Sequence, residues 1–401
     1  MTRSWFGGVA AIAMIAAAPL GASLPARSVD DAAGIVPLDA DAFPIGEQQI
    51  LALGEASHGN EDILRARNRL ILQLVDEGRI GWVALETGFA ESRLLDAFVR
   101  GGAGEAADVA KHGFTSGFGA FEANVALLRD LRAANALRAE RDKVGVIGID
   151  LSLGGPLDSA PTMAPVRCAL EGVGDAKRRA TLTARFLEAV KPGLGAPTVT
   201  TRQKAAFRDL ADRLNAALSP TASVEARTCG RIVLQSAAVF DGIPTAVTPG
   251  SIPNDAWISV SRRDEAMASN ALNALRRSAG KSVVLFAHTS HVLKVARRGG
   301  QWRTQEHPPT SMGEVLRQRL ASRYYVIANV EPAPADGSQV PDLIPAFRTD
   351  CAKPCVVLAD ARPTLRRSTV RIGINGSDEQ LIDTAAADAF LILPQQEPER
   401  R

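Results

Sequence analysis

Four hydrophobic runs in this chain each end on an ionisable residue. Ile50-Leu51-Ala52-Leu53-Gly54 runs into Glu55, and Trp82-Val83-Ala84-Leu85 into Glu86. Val144-Gly145-Val146-Ile147-Gly148-Ile149 runs into Asp150, and Val283-Val284-Leu285-Phe286-Ala287 into His288. Continuous apolar runs set between helical stretches read as parallel strands, because both faces of such a sheet are covered. Ligands of open α/β sheets bind in the crevice beyond the carboxyl ends of the strands. The pattern therefore predicts an α/β fold, a mostly parallel sheet flanked by helices, with Glu55, Glu86, Asp150 and His288 around one crevice.

The remaining patterning fills in that frame. Arg3 followed by an apolar, alanine-rich stretch over 6–20 reads as an export leader, with Ala22, Ser23 or Ala26 as its last residue. Residues 1–26 are assigned to the leader and 27–401 to one α/β domain. The apolar stretch is short for a membrane span, so the mature protein is expected in the periplasm or outside the cell, without a membrane anchor. Residues 28–46 form a polar approach segment, and 47–153 alternate strand and helix patterns. From about 156 to 244 the strand signal vanishes, and 175–190, 201–218 and 222–240 read as helices of an insertion or cap. The β/α pattern resumes with a helix over 261–278, the strand ending at His288, a helix over 312–319 and a strand over 324–330. A last strand over 387–393 is expected to close the sheet.

A formal net charge of +2 with no basic stripe argues against a nucleic-acid partner. The pairs Arg297-Arg298 and Arg366-Arg367 read as solvated surface. Four cysteines allow three pairings, of which Cys168 with Cys229 and Cys351 with Cys355 is the favoured one. Zinc is the rival for the close pair, but no second pair stands at finger-like spacing.

The chemistry-bearing residues cluster at the predicted turns. In Gly54-Glu55-Ala56-Ser57-His58-Gly59-Asn60, a strand ends at Glu55 and a helix starts at Asn60, a good N-cap. His58 sits on the loop between them, where Glu55 can orient the ring and raise its basicity, as a general base needs. A capping or loop histidine with an ordinary hydrogen bond is the plainer alternative. Gly54 and Gly59 permit tight turns and close approach of a substrate. On the following helix Arg67 falls within the apolar stripe while Arg65, Arg69 and Asp76 fall outside it. A buried guanidinium needs compensation, and Glu55 or Glu86 is the expected partner, in a functional or purely structural pair. Further on, Arg263 and Asn270 share a helical face with Met267 and Ala274, and His288 is followed three residues later by His291. That histidine spacing is weakly specific for a metal. No G-x-S-x-G elbow, phosphate loop or dinucleotide fingerprint is present. His112 and His307 read as surface residues, with His307 a candidate for the rim.

These motifs together resemble the erythromycin esterase family. The resemblance rests on Gly54 to Gly59, Arg67, Leu85-Glu86, Arg263-Asp264 with Met267 and Asn270, Ala287-His288-Thr289-Ser290-His291-Val292 and Met312-Gly313, in that order. Ser57 stands where the family usually has threonine, and Thr289 where asparagine is commoner. The resemblance implies hydrolysis of a carboxylic ester, such as a macrolide lactone, by histidine-activated water without a metal or other cofactor. It makes His58 the general base and completes the site with Glu55, Glu86, Arg67 and His288. Asp150, His291, Arg263 and Asn270 are the candidates for substrate binding. Two other readings use the same pocket: a divalent metal held by Glu55, His58, Glu86 and His288 in a hydrolase or peptidase, and a non-catalytic protein that binds haem or another small molecule.

Overall fold

The computed structural model describes residues 35–151 apart from 44 and 47, then 163–189, 198–246, 256–299, 302, 305–331, 354–359, 369–374 and 378–393. The strands are β1 Ile35–Pro37, β2 Ile50–Glu55, β3 Ile80–Gly88, β4 Gly145–Asp150, β5 Ser282–His288, β6 Tyr324–Asn329, β7 Cys355–Leu358, β8 Thr369–Ile374, β9 Asp378–Asp383 and β10 Ala389–Ile392. The helices are α1 Glu61–Asp76, α2 Phe89–Val99, α3 Ala106–Gly113, α4 Glu122–Ala136, α5 Ala164–Leu170, α6 Ala176–Ala189, α7 Thr201–Ala217, α8 Val224–Gly242, α9 Ala256–Arg277, α10 Thr289–Val292 and α11 Met312–Leu320.

Eight strands form one sheet in the order β1-β7-β10-β6-β2-β5-β3-β4. From β10 to β4 every neighbouring pair is parallel, while β7 runs antiparallel to both β1 and β10. The apolar runs are strands because each must bury both faces. Leu51 and Leu53 of β2 join a core with α1 to α4, whereas Ile50 and Ala52 join the core under α5 to α9 and α11. The last strand does not close the sheet as expected. It lies inside, between β6 and β7, because β7 and β1 extend the sheet beyond it. At three and four residues, β1 and β7 are too short to show a period. The β8–β9 hairpin likewise escaped the pattern.

Helix α1 forms as its sequence requires. Asn60 caps it by accepting from the backbone N–H groups of Asp62 and Ile63. Ile63, Leu64, Leu70, Ile71, Leu74 and Val75 are buried, while Arg65, Arg69 and Asp76 are exposed. No strand occurs among the described residues between 163 and 246; this stretch packs as helices α5 to α8 against α9. A disulfide joins Cys168 of α5 to Cys229 of α8. Cys355 is also disulfide-bonded, whereas Cys351, the leader over 1–26 and Arg366-Arg367 lie outside the described residues. Among the described residues no helix is long and apolar enough to cross a membrane.

Candidate active site

The sheet order sets Glu55, His288, Glu86 and Asp150 on four adjacent strands, β2, β5, β3 and β4. Glu55 stands opposite His288 in register, and Gly88 opposite Asp150. Between Leu85 and Gly88, β3 holds one more residue than β4, a register shift beside Glu86. By the alternation of the strand, Leu85 faces the α1–α4 side while Glu86 reaches Arg263 of α9.

His58 hangs on the β2–α1 loop with Nδ1 2.7 Å from Oε1 of Glu55. The loop is fixed from three sides. Asn329 Oδ1 accepts from the Ala56 N–H, Ser57 donates to Glu331, and the Ala56 carbonyl accepts from Nε2 of His288. Gly54 and Gly59 are needed here for protein packing rather than for approach of a substrate. A Cβ on Gly54 would stand 2.5 Å from Oγ1 of Thr289, and one on Gly59, at φ +80°, would meet the Phe121 ring at 2.3 Å. Burial pulls the His58 pKa down, but the hydrogen bond to Glu55 and the charges of Glu86 and Glu55 more than offset this, so it lies above its ordinary 6.5. Among the described residues Nε2 has no hydrogen-bond partner, and the side chain is 36% exposed.

Behind His58 lies a buried charge network. Glu86 Oε1 accepts from Arg263 at 3.0 Å and lies 3.2 Å from Nε2 of His291, while Oε2 accepts the His288 backbone N–H at 2.7 Å. Arg263 also forks onto Asp150, Nε to Oδ1 at 3.0 Å and Nη2 to Oδ2 at 2.5 Å. Burial alone would raise the Glu86 pKa, yet His291, Arg263 and His58 hold it well below the usual carboxylate range. At the rear, Asp264 is completely buried and accepts from Nδ1 of His291, from Arg297 and from the Met312 N–H. Despite its burial its pKa is held at about 2 by Arg297 and His291. His291 is pushed down by burial and further up by Asp264 and Glu86, so its net position is above 6.5. Arg297, read as solvated, is therefore an internal counter-ion, while Arg298 is exposed.

Three predicted site residues sit differently from expectation. Arg67 is buried, but among the described residues it has no carboxylate partner. Its Nε and Nη2 donate to Asn68 and Asn124, and its guanidinium lies 4.4 Å from the Phe286 ring centroid. Burial lowers its pKa to about 10, against the favourable pull of Glu55 and Glu61. Among the described residues Nη1 meets no acceptor. His288 spends Nε2–H on the Ala56 carbonyl, and its Nδ1 accepts from Ser290. Burial pushes it down to about 3, against the pull of Glu86, so it is a neutral framework residue with no donor left over. Asn270 is bound to the Ile149 carbonyl and to Gln235, away from the crevice. His112 and His307 are surface residues, and His307 lies near Trp257.

Beside His58 a cleft of roughly 300 Å³, counting its mouth, is floored by Glu55, Glu86, Arg67 and Asn124 and walled by Phe114, Phe118, Phe121 and Phe286. The Oε2 atom of Glu55 is buried without a hydrogen-bond partner. The sequence pattern missed the three phenylalanines of the 114–121 segment and Asn124, because that segment has neither strand nor helix period. Asp264 did leave a signal, since it shares a buried stripe with Met267, Ala268 and Ala271 at helical spacing.

A family model for erythromycin esterase matches residues 79–330. The chain belongs to the erythromycin esterase family. Membership supports a hydrolase with a small-molecule substrate. No curated protein matches the sequence significantly. Among solved structures, a protein from Bacillus cereus is 19% identical with a TM-score of 0.67, covering 90% of this chain and 94% of its own. A succinoglycan biosynthesis protein is 16% identical with a TM-score of 0.71, covering 92% and 95%. A mutant of the erythromycin esterase EreC, in its open conformation, is 18% identical with a TM-score of 0.59, covering 87% and 91%. At these identities the structural likenesses show the fold. Among the described residues no three His, Cys, Asp or Glu side chains form a group able to hold a metal ion. The oxygens of Glu86 and the nitrogens of His288 are already bonded, so of Glu55, His58, Glu86 and His288 only Glu55 Oε2 and His58 Nε2 are open to a ligand among the described residues.

Proposed function

We propose that the protein is a carboxylic ester hydrolase in which His58 activates water without a metal, with macrolide lactones among the candidate substrates. The observation that carries this reading is the state of His58: Nδ1 is held by the Glu55 carboxylate, while among the described residues Nε2 has no hydrogen-bond partner and the ring is partly exposed. In the reaction Nε2 takes a proton from water as the hydroxyl oxygen bonds to the ester carbonyl carbon. The carbonyl π pair moves onto oxygen, where Nη1 of Arg67 is the available charged donor. Collapse of that intermediate breaks the bond to the alcohol oxygen, which leaves with the proton returned by His58. Glu55 holds the tautomer and stabilises the imidazolium.

Two open donors are too few for a divalent-ion site, which ordinarily takes at least three protein ligands, and this supports the metal-free reading. The leader pattern and the Cys168–Cys229 disulfide support export to an oxidising compartment, the periplasm or the medium. The test is a panel of carboxylic esters, erythromycin included, assayed with the wild type and with His58→Ala. The variant is expected to lose about 10² to 10⁴ in rate while keeping its melting temperature. Near-wild-type turnover by His58→Ala on any cleaved ester would remove His58 as the base.

A further inference from the structure

The aromatic cleft is built rather than incidental. Phe118 lies against the His58 ring with centroids 4.9 Å apart, and Phe121 stacks on Phe118 at 6.2 Å and 30°. Leu64, Leu85, Phe114 and Phe286 complete the apolar walls. The segment that carries Phe118 is tied down at both ends. On one side the Thr115 N–H donates to Oγ1 of Thr87 at 2.7 Å, and the Gly88 N–H donates to Oγ1 of Thr115 at 3.1 Å. On the other, Asn124 donates to the Phe118 carbonyl at 2.9 Å while accepting from Nη2 of Arg67 at 2.8 Å. Ser116 takes a left-handed backbone, φ +57°, to make the bend, a conformation non-glycine residues seldom adopt. Phe118 is thus set by the end of β3, next to Glu86, and by the guanidinium on the cleft floor.

Resting on the hydrolase reading above, we propose that this cleft is an acyl subsite and that Phe118 is its specificity-determining wall. The substrates it fits are esters of compact apolar carboxylic acids, a single aromatic ring or a short branched chain beside the carbonyl. The orientation follows from the floor. An oxyanion drawn to Arg67 puts the carbonyl at the inner end, so the group that meets the four rings is the acyl group. The alcohol then leaves through the mouth. A flat ring placed among Phe118, Phe121 and Phe286 gains offset-stacked or edge contacts that a methyl group cannot.

The experiment compares p-nitrophenyl acetate, butyrate and phenylacetate, and erythromycin, with the mature wild type, Phe118→Ala and Phe118→Leu. The ratio of kcat/KM for phenylacetate to that for acetate is the readout, since it cancels any general effect of Phe118 on His58. The wild-type ratio should exceed about tenfold, within the range that pocket contacts provide. Phe118→Ala should reduce it about tenfold and Phe118→Leu by less. If Phe118→Ala does not fold, the partial drop in Phe118→Leu carries the test. An unchanged ratio in the folded variants, or erythromycin cleaved more efficiently than phenylacetate, would overturn the subsite. Absence of turnover on every ester would instead defeat the hydrolase reading. The subsite would then be judged by calorimetric binding of phenylacetate, expected to weaken about tenfold in the Phe118 variants and refuted by equal affinity.

Discussion

Asp264→Ala should be the most destabilising single truncation in the site region, although Asp264 touches no substrate-facing surface. The carboxylate is completely buried and accepts from an imidazole, a guanidinium and a backbone N–H, drawn from α10, the loop after it and α11. Truncation leaves the Arg297 guanidinium without its carboxylate and strips His291 Nδ1 and the Met312 N–H of their acceptor, a loss of roughly 3–5 kcal/mol. Unfolding entropy near 2.1 cal/mol/K per residue gives a chain of 401 residues a fall of about 1.2 °C per kcal/mol. The expected decrease in Tm is therefore about 4–6 °C. Acid adds a second signature. Asp264 is held at about 2 against an ordinary 3.8, so its contribution, about 2 kcal/mol by linkage, is full above 3.8 and disappears as pH falls toward 2. The gap between wild type and variant should narrow over that window. Differential scanning calorimetry at pH 7 and along the acid range measures both, with Asp76→Ala as the exposed control, expected to move Tm by less than about 1 °C. Equal Tm values for the two variants at pH 7 would refute the buried-hub reasoning.

The His58 pKa lies above 6.5 and the base must be neutral to accept a proton. kcat/KM should therefore rise with pH through an inflection above 6.5. Glu55→Gln removes the hydrogen-bonded charge that offsets burial, so the inflection should move down; an unmoved inflection would show that Glu55 does not set it. Arg67→Ala should cost about 1–3 kcal/mol through the unsatisfied Asn68 and Asn124 oxygens and about 10² to 10³ in kcat/KM. Arg65→Ala, on the exposed face, should cost neither, and equal activity of the two variants would take Arg67 out of the site. Turnover should survive exhaustive dialysis against chelator, whereas activity that vanishes and returns with zinc, manganese or calcium would reinstate the metal.

What the sequence disclosed follows from periodicity. Strands β2, β3, β4 and β5 are apolar runs because both faces are covered, and their last residues had to lie at one edge. The pairing of Glu55 with His58 was legible because the two flank a single turn. Burial of Arg67 was legible from its stripe, but its compensation was not. Neutral amide oxygens on Asn68 and Asn124 take Nε and Nη2, and the face of Phe286 covers the guanidinium, and no charge pattern reveals such partners. His288 carried the right position but the wrong duty, since its role depends on the Ala56 carbonyl and Ser290. The register shift beside Glu86 and the rings of the 114–121 segment depend on tertiary contacts and leave no repeat to read.

Strand β5 is laid between β2 and β3, although more than a hundred residues separate it from either in the chain. During synthesis, β2, α1 and β3 emerge early, yet β2 and β3 do not pair with each other and are joined only when 282–288 arrives between them. A nascent chain ending before that point exposes both edges of β2 and one edge of β3, the kind of surface that invites aggregation. It also holds Glu55 and Glu86 at no fixed separation. Long-range closure of this sort is slow, so Glu55, Glu86 and His288 should become ordered together and late. Amides of β2 and β3 should gain protection from hydrogen exchange in step with those of β5, rather than with the helices between them.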